Sequence, residues 1–87
     1  MDEVLLKKIE QKIDETLSKK DEIKLLLESL SNIDDSKSFA MGIIVGRLYN
    51  AFYYQSKRIL NHEPTKDEFK EFLEFIKTKK SNLENLW

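Results

Sequence analysis

The sequence predicts an all-α protein: a three-helix antiparallel, bundle-like domain with a long first helix, a buried central helix and a shorter third helix, built to dimerise. Three observations carry that expectation. No stretch alternates apolar and polar residues with the period of two that a half-buried strand requires. Apolar residues recur at three-four spacings in the first and last thirds of the chain, as they do along one face of a helix. Two glycines and one proline leave few breakers in 87 residues, and Pro64 stands between two periodic segments.

The first helix is expected over about residues 2–30. Leu5, Ile9, Ile13, Leu17, Ile23, Leu27 and Leu30 form one stripe if Thr16 and Lys20 take the intervening core-side positions. At about 1.5 Å per residue such a helix is roughly 43 Å long, more than one short neighbour covers. The stripe lapses at Lys20 and Asp21, so the alternative is a second, shorter helix capped by Asp21. The continuous helix is the preferred reading. Residues 31–38, rich in Ser, Asn and Asp, divert the backbone into local side-chain bonds and read as a connector. Asp34, Asp35 or Ser36 caps the central helix.

That central helix, about 36–61, is the element around which the chain is organised. Met41, Ile43, Ile44, Val45, Leu48, Phe52, Tyr53 and Ile59 distribute around most of its circumference, where an ordinary surface helix is apolar on one side. Gly42 and Gly46 lie inside it one turn apart, although each costs about 1 kcal/mol relative to Ala there. With Ser38 and Asn50 they make a small-residue row that lets another backbone approach. Two partners suit that row: the first helix of the same chain, or the same helix of a second copy. The second reading is preferred, with Gly42, Gly46, Ile43, Asn50 and Tyr53 as the self-association residues, because the apolar surface exceeds what two neighbouring helices cover.

Pro64 disfavours helical dihedrals at Glu63 and ends the central helix near Leu60 or Asn61. The third helix, about 66–80, opens on a capping box: Thr65 accepts from the Glu68 amide while the Glu68 carboxylate reaches back. Phe69, Phe72, Leu73, Ile76 and Leu83 form its stripe. Ser81 and Glu84 make a second, weaker box, at which the helix either breaks before a terminal turn carrying Leu86 and Trp87 or continues to about residue 86.

Residues 1–87 make one domain, near the smallest size at which a single core sustains itself. With no cysteine, disulfides, thiolate metal sites and a cysteine nucleophile are excluded. The uncharged run 38–46 is ended by Arg47 and falls far short of the ~20 residues of a membrane span. The start of the chain carries acids before any apolar run, the reverse of a secretory signal, so the chain reads as cytoplasmic.

The formal net charge of −1 hides an uneven distribution. Residues 1–35 carry −4, residues 36–62 carry +4 and residues 63–87 carry −1. Arg47, Asn50, Tyr54, Lys57, Arg58 and Asn61 form a polar stripe on the central helix. Arg47, Lys57, Arg58 and Tyr54 are therefore the candidate anion-binding set, since long cationic side chains beside an aromatic ring suit phosphate or carboxylate. The competing reading is internal pairing, with Arg47 half-buried against an acid of a neighbouring helix. Asp67, Glu68, Glu71 and Glu74 put carboxylates on neighbouring turns. The Glu-x-x-His of a di-iron helical bundle is absent, however, and His62 has no nucleophile to activate. No phosphate loop, dinucleotide turn or zinc spacing occurs. The expected function is a non-enzymatic, self-associating module that acts by binding another protein and needs no cofactor. An anion or nucleic-acid binder is the second reading, and a small carboxylate-metal enzyme the third. Nucleic acid ranks low as a partner because the chain is slightly acidic and its cations sit on its most apolar helix.

Overall fold

The computed structural model describes residues 1–30 and 33–84 and contains four helices: α1 (Glu3–Ser18), α2 (Lys20–Ser29), α3 (Ser36–Leu60) and α4 (Lys66–Glu84), with no strand among the described residues. The expected connector residues Ser31 and Asn32, and the expected terminal turn with Leu86 and Trp87, lie outside the described residues. The all-helical expectation holds. The number of helices does not, because the long first helix is two.

α1 starts where Asp2 accepts the Leu5 amide at 2.9 Å, an N-cap that satisfies one of the first-turn donors. Leu5, Ile9, Ile13 and Thr16 follow at spacings of four, four and three and are all buried. The interruption falls at Lys19, one residue before the expected weak point. Lys19 has φ −97° and ψ 15°, and its amide donates to the Thr16 carbonyl at 3.0 Å, closing a tighter turn than the α-helix. The Ser18 hydroxyl bonds the Glu15 carbonyl at 2.6 Å, a back-bond of the kind that bends helices. Asp21 does not cap α2, which begins without any side-chain cap. The turn re-aims α2 so that Ile23 is buried and Leu27 packs against the core, whereas Leu30, expected in the stripe, is 47% exposed.

Of the three cap candidates for the central helix, Asp35 is used. It accepts the Ser38 amide at 3.0 Å and the Ser38 hydroxyl at 2.8 Å, and the amide bond is the main reason its carboxyl is held below its ordinary pKa. α3 buries Ala40, Ile44, Leu48, Phe52 and Ser56, a row at a strict spacing of four. Met41, Ile43, Val45, Tyr53 and Ile59 are half-buried, while Gly42, Gly46, Tyr49, Asn50 and Tyr54 are exposed. The helix expected to be buried all round is thus buried on one side and open on another. It ends at Asn61, the one non-glycine residue with positive φ (63°) among the described residues, whose short side chain tolerates the left-handed cap.

Both bonds of the Thr65 and Glu68 capping box form: Glu68 N to Thr65 Oγ1 at 3.2 Å and Thr65 N to Glu68 Oε1 at 2.8 Å. Thr65→Ala is expected to cost about 1 kcal/mol, read as a lower midpoint in a urea melt; an unchanged midpoint would show that the cap contributes nothing. The backbone bond from Thr65 also depresses the Glu68 pKa. A depressed carboxylate contributes stability above its unfolded pKa and loses it as pH falls through the folded one. Wild-type melts should therefore fall more steeply in acid than those of Glu68→Gln. α4 then runs through the second box unbroken to Glu84. It buries Phe72 and Leu83 and leaves Leu73, expected in the stripe, exposed.

The core is Leu5, Ile9 and Ile13 of α1, Ile23 of α2, Ile44, Leu48 and Phe52 of α3, and Phe72 and Leu83 of α4. α3 touches all three other helices. Phe52 and Phe72 stack with centroids 4.3 Å apart and planes at 11°, and Tyr49 meets Phe72 and Phe69 edge-on. Ser56 is fully buried and its hydroxyl has no partner among the described residues. Ser56→Ala removes that orphan and improves helix propensity, so it should raise stability by roughly 0.5 to 1 kcal/mol. A destabilised variant in the same melt would mean that the hydroxyl is bonded.

Candidate interaction surfaces

The small-residue row does not face α1. Gly42 and Gly46 are exposed, and a Cβ added at either would meet nothing within 4 Å. The intrachain glycine crossing is therefore excluded. Among their expected companions, Asn50 is exposed, Ile43 is half-buried against the core, and Tyr53 is half-buried with its hydroxyl donating to Glu63 Oε2 at 3.2 Å. Burial first, and then the Glu63 charge, push the Tyr53 pKa up, which keeps that hydroxyl a donor.

Ile43 and Arg47 each come one residue after a glycine of the row, about 100° further round α3. There they line one side of a groove of about 350 Å³, whose other side is Lys19 with Glu22, Ile23, Leu25, Leu26 and Ser29 of α2. Leu25 is 62% exposed, and Leu26 and Leu30 are each 47% exposed. With Leu30 at the C-cap of α2 and Phe39 at the start of α3, half of the eight large exposed apolar side chains among the described residues fall on α2, its cap and the first half of α3. The sequence reading missed Leu25 and Leu26. The available signal was the triplet Leu25, Leu26 and Leu27: consecutive helical residues point 100° apart, so one narrow face cannot bury all three.

The candidate anion-binding residues do not converge. Arg47 turns inward, 33% exposed, with Nε donating to Thr16 Oγ1 at 3.2 Å and Nη2 to Glu15 Oε1 at 3.4 Å. The same Glu15 oxygen takes Lys12 Nζ at 3.3 Å. Lys57 and Arg58 are exposed, with no acid within 4 Å among the described residues, and line neither the α2–α3 groove nor the one along α1. Tyr54 stands instead beside α1, in that second groove of about 330 Å³, whose walls are Lys8, Gln11, Lys12 and Glu15 of α1 and Asn50, Ala51, Tyr54 and Gln55 of α3. Of the four residues, only Tyr54 lines it.

The carboxylates of α4 are occupied separately. Glu68 is in the capping box, Glu71 lies 2.8 Å from the Met1 amino group and Glu74 lies 3.1 Å from Lys77. His62 Nδ1 is 2.7 Å from the Glu63 carbonyl. Among the described residues no three His, Asp or Glu side chains gather as a metal would require, and no helix is long and apolar enough to cross a membrane. The chain matches no protein-family model, and comparison with curated proteins and with solved structures finds no significant match.

Proposed function

We propose that the chain is a non-enzymatic, self-associating helical module, an antiparallel bundle that dimerises through α2 and the first half of α3 and acts by binding protein, in a cytoplasmic setting. The observation that carries this reading is the pair of exposed leucines, Leu25 and Leu26, that line the α2–α3 groove, with Leu30 and Phe39 also exposed and two glycines of α3 open to close approach. A hydrophobic patch of this kind on a small domain is where partners bind.

A twofold axis would set the same groove and glycine row against their own copies, so that one surface supplies both sides. Light scattering at micromolar concentration tests the reading: a mass of two chains is expected, and a mass of one chain overturns self-association.

A further inference from the structure

We propose that two copies of this chain pair along the outward side of α3, antiparallel about a twofold axis, so that Tyr49 and Tyr53 of each copy sit over Gly46 and Gly42 of the other. This arrangement rests on self-association through α3 and adds to it an orientation and a register. Phe39, Gly42, Gly46, Tyr49 and Tyr53 follow one another at spacings of three, four, three and four. That alternation keeps one seam facing a second helix, as in coiled coils. The helices of the same chain meet a different row of α3: Ala40, Ile44, Leu48, Phe52 and Ser56. On the outward seam Phe39 and Tyr49 are 42% and 44% exposed, both glycines are exposed and Tyr53 is half-buried.

Size selects the direction. The seam is lowest over Gly42 and Gly46, where an added Cβ meets nothing within 4 Å. It is highest at Tyr49 and Tyr53, whose rings stand parallel to within 4° with centroids 6.0 Å apart. Parallel pairing of two such seams sets glycine against glycine and tyrosine against tyrosine, a gap beside a collision. In antiparallel pairing with the axis between Gly46 and Tyr49, Tyr49 falls opposite Gly46 of the second copy, and Tyr53 opposite its Gly42. Each ring then fills a hole, and each contact occurs twice.

Charge selects the same direction. Residues 36–62 contain no carboxylate. At the start of α3 the exposed Asp34 and Asp35 outweigh Lys37, and at its end the exposed Lys57 and Arg58 outweigh Glu63, which the Tyr53 hydroxyl holds. Lys57 comes one turn after Tyr53 and has no acid within 4 Å among the described residues. In the antiparallel register it falls opposite Ser38 of the second copy, less than one turn from Asp35 of that copy. Parallel pairing sets Lys57 beside Lys57 and Asp35 beside Asp35, and like charges so placed repel.

The test uses variants of the whole chain, with mass read by light scattering across a dilution series. Gly42→Leu sets a side chain against Tyr53 of the second copy and is expected to raise the dimer Kd about tenfold or more. Adding Tyr53→Ala to the same chain should recover most of that loss, because the two positions are about 16 Å apart along one helix and meet only across the axis. Lys57→Glu should weaken the dimer several-fold, and less at high salt. Since the chain has no cysteine, a nitroxide on Ser36→Cys reports orientation independently: a label separation of about 35 Å is expected, against about 10 to 15 Å for parallel helices. Unchanged helical circular dichroism establishes that each variant is folded. A wild-type mass of one chain overturns self-association and this arrangement together. A wild-type dimer that is indifferent to Gly42→Leu, whose Gly42→Leu defect survives Tyr53→Ala, or whose labels lie at the short distance overturns the antiparallel seam and leaves self-association standing.

Discussion

Phe52→Ala is expected to remove about 3 to 5 kcal/mol of stability, the usual cost of emptying a buried aromatic site. For 87 residues the whole folding free energy is roughly 4 to 13 kcal/mol, so this one change takes a large share of it. The ring is fully buried and stacked on Phe72 at 4.3 Å, where it joins the long α3 to α4. Neighbours are unable to collapse into the space, because Leu48 and Phe72 are themselves held in the core on fixed helices. Urea melts of Phe52→Ala, Phe72→Ala and the double variant measure the effect. The coupling between the two rings should be about 0.5 to 1.5 kcal/mol beyond their separate burial. A loss below about 1 kcal/mol for Phe52→Ala would place that ring outside the core.

The elements were legible wherever a local signal and the apolar period agreed. Thr65, Glu68 and Pro64 mark the start of α4 by bonds within one turn, and Asp35 caps α3 through a neighbour three residues on. Such bonds depend only on nearby sequence. The break at Lys19 was foreshadowed by the lapse of the stripe at Lys20, but its form was not. It rests on a Ser18 back-bond and on the pull of a buried Ile23, and the second is tertiary. Composition misled on the central helix. Apolar residues on many sides suggested burial all round, yet α1, α2 and α4 cover Met41, Ile43, Val45, Tyr53 and Ile59 in part and leave the glycine side open. Three neighbours do more covering than two, and the third came from splitting the first helix. The α1–α3 groove was illegible for a related reason. Lys8, Gln11 and Lys12 look like an ordinary solvated face until α3 is set beside them, and only then does Ala51 leave a gap and Gln55 lose its water.

Gly46→Leu is expected to dissociate the proposed dimer without harming the chain that remains. In the single chain an added Cβ meets nothing within 4 Å, and exchanging glycine for leucine inside a helix is favourable by roughly 0.8 kcal/mol. At a twofold crossing, by contrast, the same side chain stands between two backbones and occurs twice, so overpacking of about 1 to 3 kcal/mol is also counted twice. Leu26→Asp attacks the neighbouring groove. A fully buried leucine contributes about 1.5 to 3 kcal/mol, and its two symmetry-related copies together make the expected rise in Kd roughly a hundredfold or more. Light scattering across a dilution series, paired with a melt at a concentration where wild type is one chain, reads both effects. The expected pattern is a mass of one chain for each variant, a slightly lower monomer melt for Leu26→Asp, since Asp is the poorer helix former and about half of Leu26 is covered, and a higher one for Gly46→Leu. If Gly46→Leu stays associated while Leu26→Asp dissociates, the interface lies on α2 and the glycines are outside it. If both stay associated, the contact lies on another face. The exposed leucines of α2 would then lose their place in the assembly.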